Sequence, residues 1–257
     1  MSAPPIVEFR AVEKRFGNGP LVLGGVTLSA QPRDFVSLIG PSGCGKSTLL
    51  RLIAGLSPVS GGTLTVDGRP ADPAPAADLA FVFQEPTLLP WLTVAKNVEL
   101  AQQLHGVAAV QRTETRRRVL DLVQLTEKAG AYPRQLSGGQ KMRVSLARAF
   151  SLSPKILLLD EPFGALDEMT REHLNEELLA IRERQAWTAF FVTHSVAEAV
   201  FLSHRVLVMA ANPGRIHTEV PVDLPYPRTM ETRLSPRFHD LVGQVSRILR
   251  SVETVAA

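Results

Sequence analysis

The chain has 257 residues, of which 45% are hydrophobic, and its formal net charge is +3. This apolar content suffices for one large α/β domain or a domain with an inserted subdomain. No apolar run approaches the ~20 residues of a membrane-spanning helix, and the first residues lack the pattern of a secretory leader. The single cysteine excludes an internal disulfide, as expected in a reducing cytosol. The densest basic run, residues 112–118, is typical of a solvated helix face, and the scarcity of aromatics argues against a nucleic-acid partner.

The N-terminal part of the chain alternates apolar and polar residues. The alternation over residues 6–30 and 63–69 predicts antiparallel strands joined by turns. Phe16 closes the first alternating stretch, just before a Gly-Asn-Gly turn. Its ring could stack on a planar base or be buried in the core, and the sequence leaves both interpretations open.

Four short apolar runs each end in polar residues. The runs cover residues 35–39, 79–83, 156–159 and 189–193, and the residues that follow them are Gly40, Gln84, Asp160 with Glu161, and His194. Such near-continuous apolar runs are typical of strands buried on both faces of a parallel sheet. Because ligands of open α/β sheets lie beyond the carboxyl ends of the strands, we expect these four ends to line one site.

A phosphate-loop pattern follows the first of these runs. Residues 40–47 read GPSGCGKS, and the glycines of such a loop let successive backbone N–H groups face a phosphate. The helical pattern over 47–54 adds its positive end, Lys46 supplies a cation, and the Ser47 hydroxyl is suited to Mg²⁺. Cys44 lies near this helix start and beside Lys46, conditions that can lower the pKa of a thiol, although any small residue would fit there. We predict that alkylation of Cys44 blocks nucleotide binding.

A second glycine-rich anion site is predicted at residues 136–140, which read LSGGQ and precede a helical pattern over 142–150. A helix N-terminus with the Ser137 hydroxyl as an added donor can bind a phosphate. Nothing before Ser137 supplies a base or a metal ligand, so this segment is interpreted as a clamp. One compact chain rarely brings two such sites onto one phosphate. The pair therefore predicts two chains, each offering its second site to the nucleotide held by the other.

The polar residues at the strand ends suggest hydrolytic chemistry. Asp160 is suited to holding Mg²⁺, and Glu161, which points the other way along the strand, could polarise an attacking water. The amide of Gln84 can reach Mg²⁺ or the water, and His194 can bond a γ-phosphate. Each residue alone would be interpreted as an ordinary strand end or surface residue; beside a phosphate loop they predict a site.

The predicted organisation is a single α/β unit with an insertion and a tail. An α/β core with an antiparallel β-subdomain covers 6–87 and 151–220, and a helical insertion that carries LSGGQ covers 88–150. A C-terminal extension covers 221–257 and contains one amphipathic helix. The apolar face of this helix comprises Phe238, Leu241, Val242, Val245, Ile248 and Leu249.

From Phe16 to about Arg228 these residues resemble the ATP-binding subunit of an ABC transporter. The segments that carry the resemblance are a Walker A loop at 40–48, a Q-loop at Gln84, a signature at 136–140, a Walker B strand at 156–160, a catalytic glutamate at Glu161, a D-loop at 165–167 and a switch histidine at His194. The resemblance assigns catalytic roles to Lys46, Gln84, Glu161 and His194, and metal contacts to Ser47, Gln84 and Asp160. It assigns nucleotide contacts to Phe16, Gly40, Pro41, Ser42, Gly43, Cys44, Gly45, Lys46, Ser47, Thr48, Ser137, Gly138, Gly139 and Gln140.

The resemblance also implies a fold and partners. The implied fold is a RecA-like P-loop NTPase core with a mostly parallel sheet, an antiparallel β-subdomain and an inserted helical subdomain. The implied assembly is a head-to-tail homodimer that holds two ATP molecules with Mg²⁺ and docks on membrane permease subunits at the cytoplasmic side. Segments 83–94, 162–167 and 212–216 resemble the nitrate, sulfonate and taurine importer group, whose systems use a periplasmic or lipid-anchored solute-binding protein.

Two other classes compete with a transport motor. A soluble ATPase of the same fold could act as a clamp on DNA or ribosomes, although such proteins usually carry long coiled-coil insertions or two ATPase halves. A small-molecule kinase or GTPase would have no use for the LSGGQ segment. The sequence leaves open which solute is moved, and whether the partner is a second copy or a related ATPase chain.

Overall fold

The computed structural model describes residues 4–71, 78–185 and 187–256. The chain divides into two compact units: the first contains the residues up to 77 and from 186 onward, and the second contains residues 78–185. The strands are β1 (Val7–Arg15), β2 (Leu21–Ala30), β3 (Phe35–Ile39), β4 (Gly61–Val66), β5 (Arg69–Pro70), β6 (Leu79–Val82), β7 (Ile156–Asp160), β8 (Thr188–Val192), β9 (Arg205–Ala210) and β10 (Arg215–Pro221). The helices are α1 (Lys46–Ile53), α2 (Val94–Leu104), α3 (Ala109–Leu122), α4 (Gly138–Phe150), α5 (Glu168–Arg184), α6 (Val196–Leu202), α7 (Met230–Leu234) and α8 (Pro236–Ala256), with short 3₁₀ turns at Thr126–Lys128 and Pro133–Gln135.

The antiparallel sheet of the first unit contains the strands predicted from alternation. Its strand order is β2-β1-β4-β5, with every neighbouring pair antiparallel. Along β1 the apolar residues Val7, Phe9 and Val12 are buried, whereas the polar residues between them are mostly exposed. The alternation therefore reflects a sheet with one face in the core and one toward solvent.

The parallel part of the first unit has β3 at its centre. β3 pairs in parallel with β8 on one side and with β9 on the other, and β10 is antiparallel to β9. All residues of β3 and β8 are buried, as the near-continuous apolar runs predicted. The ring centroid of Phe35 lies 6.0 Å from those of Trp187 and Phe191, and all three side chains are buried in this core.

The second unit combines a parallel strand pair with helices. β6 and β7 pair in parallel, with Val82 beside Leu159. The helices α2, α3 and α4 pack on one another, and α4 also contacts β6. An ion pair of 3.0 Å between Arg143 on α4 and Glu177 on α5 joins two of the helices. Within the described residues, no helix of either unit combines the length and the hydrophobicity that crossing a bilayer requires.

Several elements differ from the sequence prediction. The helix predicted at 142–150 begins earlier, at Gly138. The sequence analysis did not predict β9 and β10; β9 is as apolar as the predicted strands, but its run ends in Ala210 and no polar residue marks its end. In the tail, α7 precedes the predicted amphipathic helix, α8. The apolar residues Phe238, Leu241 and Val245 of α8 are buried where that helix packs on α6 and β9.

A buried arginine joins the tail to the end of α6. Arg228 is 4% exposed, and its Nη1 donates to the carbonyl oxygens of Val200, Phe201 and Ser203 at 2.8–3.1 Å. Its Nη2 donates to the Leu224 carbonyl at 3.0 Å. The last carbonyls of a helix have no intrahelical partner, so the guanidinium satisfies the C-terminus of α6 with a favourable charge.

We predict that Arg228→Met lowers the free energy of unfolding by about 3 kcal/mol, because several buried carbonyls lose their charged donor. Urea denaturation followed by circular dichroism measures the change. Arg237→Met is the matched control, since Arg237 forms an exposed ion pair with Asp223 and its loss should change stability little. Equal effects of the two substitutions would show that the buried hydrogen bonds of Arg228 do not contribute as argued.

Candidate nucleotide site

The phosphate loop lies between β3 and α1. Gly45 caps α1 in the left-handed region, with φ at 96°. A Cβ added to Gly45 would lie 2.5 Å from Cδ2 of Leu23, so both the backbone conformation and the space require glycine. The exposed residues of the loop are Ser42 and Gly43, whereas Ser47 and Thr48 on the first turn of α1 are half-buried. The chain therefore presents a helix N-terminus behind an open turn.

Lys46 lies inside this loop. Its side chain is buried, and Nζ donates to the carbonyl oxygens of Gly40 at 2.8 Å and Pro41 at 3.0 Å. A buried ammonium needs such acceptors because its desolvation is costly. The same ammonium is within reach of any anion that enters the loop, where it would exchange weak carbonyl partners for a full negative charge.

Cys44 corrects one sequence expectation. Its side chain is fully buried, and burial raises the pKa of the thiol despite the ammonium of Lys46 at 3.8 Å from Sγ. The expectation of a lowered thiol pKa was wrong, because desolvation outweighs the attraction of the cation. Cys44 packs as a small apolar residue beneath the loop, which was the alternative that the sequence left open.

His194 lies at the same sheet edge as the phosphate loop. Leu38 of β3 pairs with Val192 of β8, and Gly40 and His194 each follow two residues later. His194 is exposed, while the residues on both sides of it are held in place. The hydroxyl of Thr193 donates to the buried carboxylate of Glu198 and accepts from the N–H of Ser195.

Glu198 is a residue that sequence reasoning missed. It is 5% exposed, and its backbone N–H donates to the Ser195 hydroxyl, the N-cap of α6. The sequence does contain a signal for this helix start, because Ser195 is followed three residues later by Glu198. These bonds fix the backbone that carries His194.

Phe16 immediately follows β1 and is 50% exposed. The interpretation of simple core burial was therefore wrong. Lys14 Nζ lies 4.6 Å from the ring centroid. Phe16 is an exposed aromatic surface in the same unit as the phosphate loop.

In the second unit, Ser137 is the N-cap of α4, and Gly138 and Gly139 form its first turn. The Ser137 hydroxyl accepts from the Gln140 N–H at 3.3 Å, and Gln140 Oε1 accepts from the Ser137 N–H at 3.1 Å. This reciprocal capping box fixes where the helix begins and leaves the proton of the Ser137 hydroxyl available for donation. The first-turn N–H groups add the positive end of a helix of 13 residues.

The signature glycines also pack closely against the start of α5. A Cβ added to Gly139 would lie 2.9 Å from Cγ2 of Thr170, which leaves no room for a larger residue. Thr170 is itself fixed, because its N–H and hydroxyl donate to the Asp167 carboxylate at 3.0 and 2.7 Å. These bonds lower the pKa of Asp167. The segment 165–167 and the signature are thus in contact within one chain.

Gln84 and Glu161 are brought together at the ends of β6 and β7. Val82 of β6 pairs with Leu159 of β7, and Gln84 and Glu161 each lie two residues further along their chain segments. A Cβ added to Gly164 would lie 3.6 Å from Gln84 Nε2 and 3.8 Å from Glu161 Cβ. Glu161 has φ at 49°, a left-handed conformation that is uncommon for a residue with a side chain. Asp160, the last residue of β7, is half-buried.

A buried lysine within a glycine-dependent strand–loop–helix turn defines a P-loop nucleotide-binding protein. Residues 23–164 match the protein family described as "ABC transporter". The chain is 44% identical to the taurine import ATP-binding protein of Rhizobium johnstonii, over 93% of each chain. It is 42% identical to the aliphatic sulfonates import ATP-binding protein of Bacillus licheniformis, over 96% of each chain. Identity with the nitrate import ATP-binding protein of Synechocystis is 42%, over 91% of this chain and 90% of that protein.

Solved structures agree with these similarities. A dimeric post-hydrolysis state of the ATP-binding cassette MJ0796, bound to ADP and Pi, is 31% identical with a TM-score of 0.74, over 85% of this chain and all of that one. CbiO1 of Clostridium perfringens has a TM-score of 0.80 at 22% identity, over 97% of this chain and 99% of that one, which shows the fold. The chain belongs to the ABC transporter family and is an ATP-binding ATPase of that family. The predicted fold class and the predicted resemblance to the nitrate, sulfonate and taurine group are confirmed.

We predict that the thiol of Cys44 reacts with iodoacetamide at pH 8 on the order of 100-fold more slowly in the native protein than in guanidinium-unfolded protein. Burial and the raised pKa both withhold the reactive thiolate, so reaction requires local opening. Mass spectrometry of this single cysteine measures the rate, and saturating ADP should slow it further. Rapid stoichiometric alkylation of the native protein would show that the thiol is exposed.

Proposed function

We propose that the chain is the ATP-hydrolysing motor subunit of an importer for a small solute of the nitrate, sulfonate or taurine kind. The observation that carries this proposal is the coexistence, in one chain, of a phosphate loop around Lys46 and a capped anion-binding helix start at Ser137. The similarities to three import ATP-binding proteins support import over a soluble clamp on DNA or ribosomes.

Two copies of the chain bind two ATP molecules between them. In each copy, the N–H groups of 43–47 face the phosphates, and Lys46 exchanges the carbonyls of Gly40 and Pro41 for phosphate oxygens. Ser137 of the second copy donates its free hydroxyl proton to the γ-phosphate, with the N–H groups of Gly138 and Gly139 beside it. The dimeric state of the similar cassette bound to ADP and Pi supports this arrangement.

Hydrolysis depends on residues at the strand ends. Glu161 acts as the general base toward water, and Gln84 orients that water from the neighbouring strand end. His194, fixed through Thr193 and Glu198, donates to the γ-phosphate as negative charge develops there. The half-buried hydroxyl of Ser47, the carboxylate of Asp160 and the amide oxygen of Gln84 are oxygen donors that fit Mg²⁺. Mg²⁺ bound there would offset the negative charge of the phosphates.

Phosphate cleavage separates the two copies, because the group that both copies bind is no longer intact. Membrane permease subunits convert this opening into alternating access of the transport pathway. The chain acts at the cytoplasmic side of the membrane as a peripheral subunit, and a solute-binding protein delivers the solute from the other side.

The surface proposed to dock on the permease lies next to the Q-loop. Trp91 is 69% exposed on the short loop before α2, and the loop is held by the buried side chain of Asn97. Asn97 Oδ1 accepts from the Leu89 N–H at 2.8 Å, and Nδ2 donates to the carbonyls of Leu89, Leu92 and Thr93. A rigidly presented aromatic side chain is typical of an interface anchor.

We predict that Glu161→Gln lowers the ATPase rate at least about 100-fold while ATP binding is retained, because the amide cannot accept the proton of water. The variant should accumulate as an ATP-loaded dimer, measured by size-exclusion chromatography with light scattering. Glu183→Gln is the control, since Glu183 is an exposed carboxylate on α5.

Full ATPase activity of Glu161→Gln would refute the assignment of the base. A variant that remains monomeric with ATP, even together with its membrane subunit, would refute the shared nucleotide.

We predict that Trp91→Ala abolishes co-purification with the permease, while the ATPase activity of the isolated subunit stays within twofold. Truncation removes the anchor but leaves the Asn97 bonds, which use backbone groups. Leu104→Ala is the matched control, because Leu104 is 79% exposed at the end of α2. The measurement is the amount of membrane protein recovered with the tagged subunit in detergent. Unchanged recovery with Trp91→Ala would show that the permease docks elsewhere.

A further inference from the structure

Lys14 is a buried lysine directly beneath an exposed aromatic ring. Lys14 and Phe16 are two residues apart at the end of β1, so their side chains lie on the same face. Lys14 is 4% exposed, whereas Phe16 is 50% exposed. The Nζ atom lies 4.6 Å from the centroid of the ring and donates to the Pro58 carbonyl oxygen at 2.6 Å.

A buried charge at this position needs an explanation. Burying an ammonium is costly, and an apolar side chain of similar length would fill the space without that cost. One carbonyl and one aromatic face are the partners that the geometry supplies. The attraction between the cation and the electrons of the ring is stronger for a desolvated cation, which is the situation of Lys14.

The backbone around Phe16 is fixed without the Lys14 side chain. Arg15 Nη1 donates to the Gly19 carbonyl at 2.7 Å, and the Gly19 N–H donates to the Phe16 carbonyl at 3.0 Å. The N–H of Arg15 donates to the Ser60 hydroxyl at 3.0 Å. The charge of Lys14 is therefore not needed to form the turn, and beside its hydrogen bond to the Pro58 carbonyl the partner of the ammonium is the ring.

We propose that Lys14 is a positioning residue that holds Phe16 as a platform for the base of the nucleotide. The ammonium covers one face of the ring, fixes its plane and draws π-electron density toward itself. The opposite face then carries less negative charge and stacks more favourably on an electron-rich purine. This inference rests on the proposed function, since it requires that the chain bind ATP, and on the nucleotide contact that the resemblance assigns to Phe16; it adds a residue that does not itself touch the nucleotide.

The experiment compares ADP and pyrophosphate by isothermal titration calorimetry, because neither ligand requires hydrolysis. Lys14→Gln removes the charge and retains an N–H donor for the Pro58 carbonyl. It should weaken ADP binding about three- to tenfold, because the ring is then less well oriented and less polarised for stacking, and leave pyrophosphate binding within twofold. Phe16→Leu should lower the affinity for ADP at least as much as Lys14→Gln does. In the Phe16→Leu background, Lys14→Gln should add no more than a twofold effect.

The outcomes separate this inference from the proposed function. If Phe16→Leu leaves ADP affinity unchanged, Phe16 is not the base platform and the role of Lys14 is refuted with it, whereas the proposed function fails only if the unmodified protein binds neither ADP nor pyrophosphate. If Phe16→Leu lowers the affinity for ADP but Lys14→Gln does not, only the role of Lys14 is refuted. The same conclusion follows if Lys14→Gln lowers the affinity for ADP equally in the protein with phenylalanine at 16 and in the Phe16→Leu variant. Equal weakening of ADP and pyrophosphate by Lys14→Gln would indicate general damage to the site and would also refute it. Lys14→Arg keeps the cation beneath the ring and covers the case in which the glutamine variant does not fold; a threefold or larger loss of ADP affinity in it would overturn the proposal.

Discussion

The charge of Lys46 inside the phosphate loop is the interaction on which the site depends. Without an anion, the ammonium is held by the carbonyls of Gly40 and Pro41. The loop can curl this tightly only because Gly45 adopts a left-handed conformation against Leu23. The protein therefore holds a buried cation at the start of a helix, and the carbonyl groups that bind this cation can be replaced by an anion. A phosphate gains both the cation and the helix terminus, whereas a neutral ligand gains neither.

The second unit uses glycine for a different physical reason. Gly139 is required because Thr170 approaches its Cα side, and Thr170 is fixed by Asp167. The signature is thus set against the start of α5. A substitution at Gly139 would change this packing, so loss of activity in such a variant could not be attributed to the proposed phosphate contacts alone.

Most of the strands, and the positions of the polar residues that follow them, could be predicted from sequence, because a strand buried on both faces leaves a clear apolar run and its polar end is conspicuous. The antiparallel β-subdomain followed from alternation, because its strands bury one face and expose the other. β9 was missed since its buried run ends in Ala210 and carries no chemistry. The environment of Cys44 could not be predicted, because the sequence shows the neighbouring lysine but not the burial that outweighs it. Glu198 and Lys14 were missed because the sequence shows their neighbours, Thr193 and Phe16, but not that both charged side chains are buried against them.

The guanidinium of Arg228 determines how far the C-terminal tail can be shortened. It binds the last carbonyls of α6, and α6 begins two residues after His194. The C-terminal segment is therefore connected through α6 to the backbone that carries His194. A chain cut before Arg228 would lose more than a peripheral helix, since the C-terminal end of α6, the helix that follows His194, would fray. A foreign tail grafted at this point would therefore need to supply donors for these carbonyls.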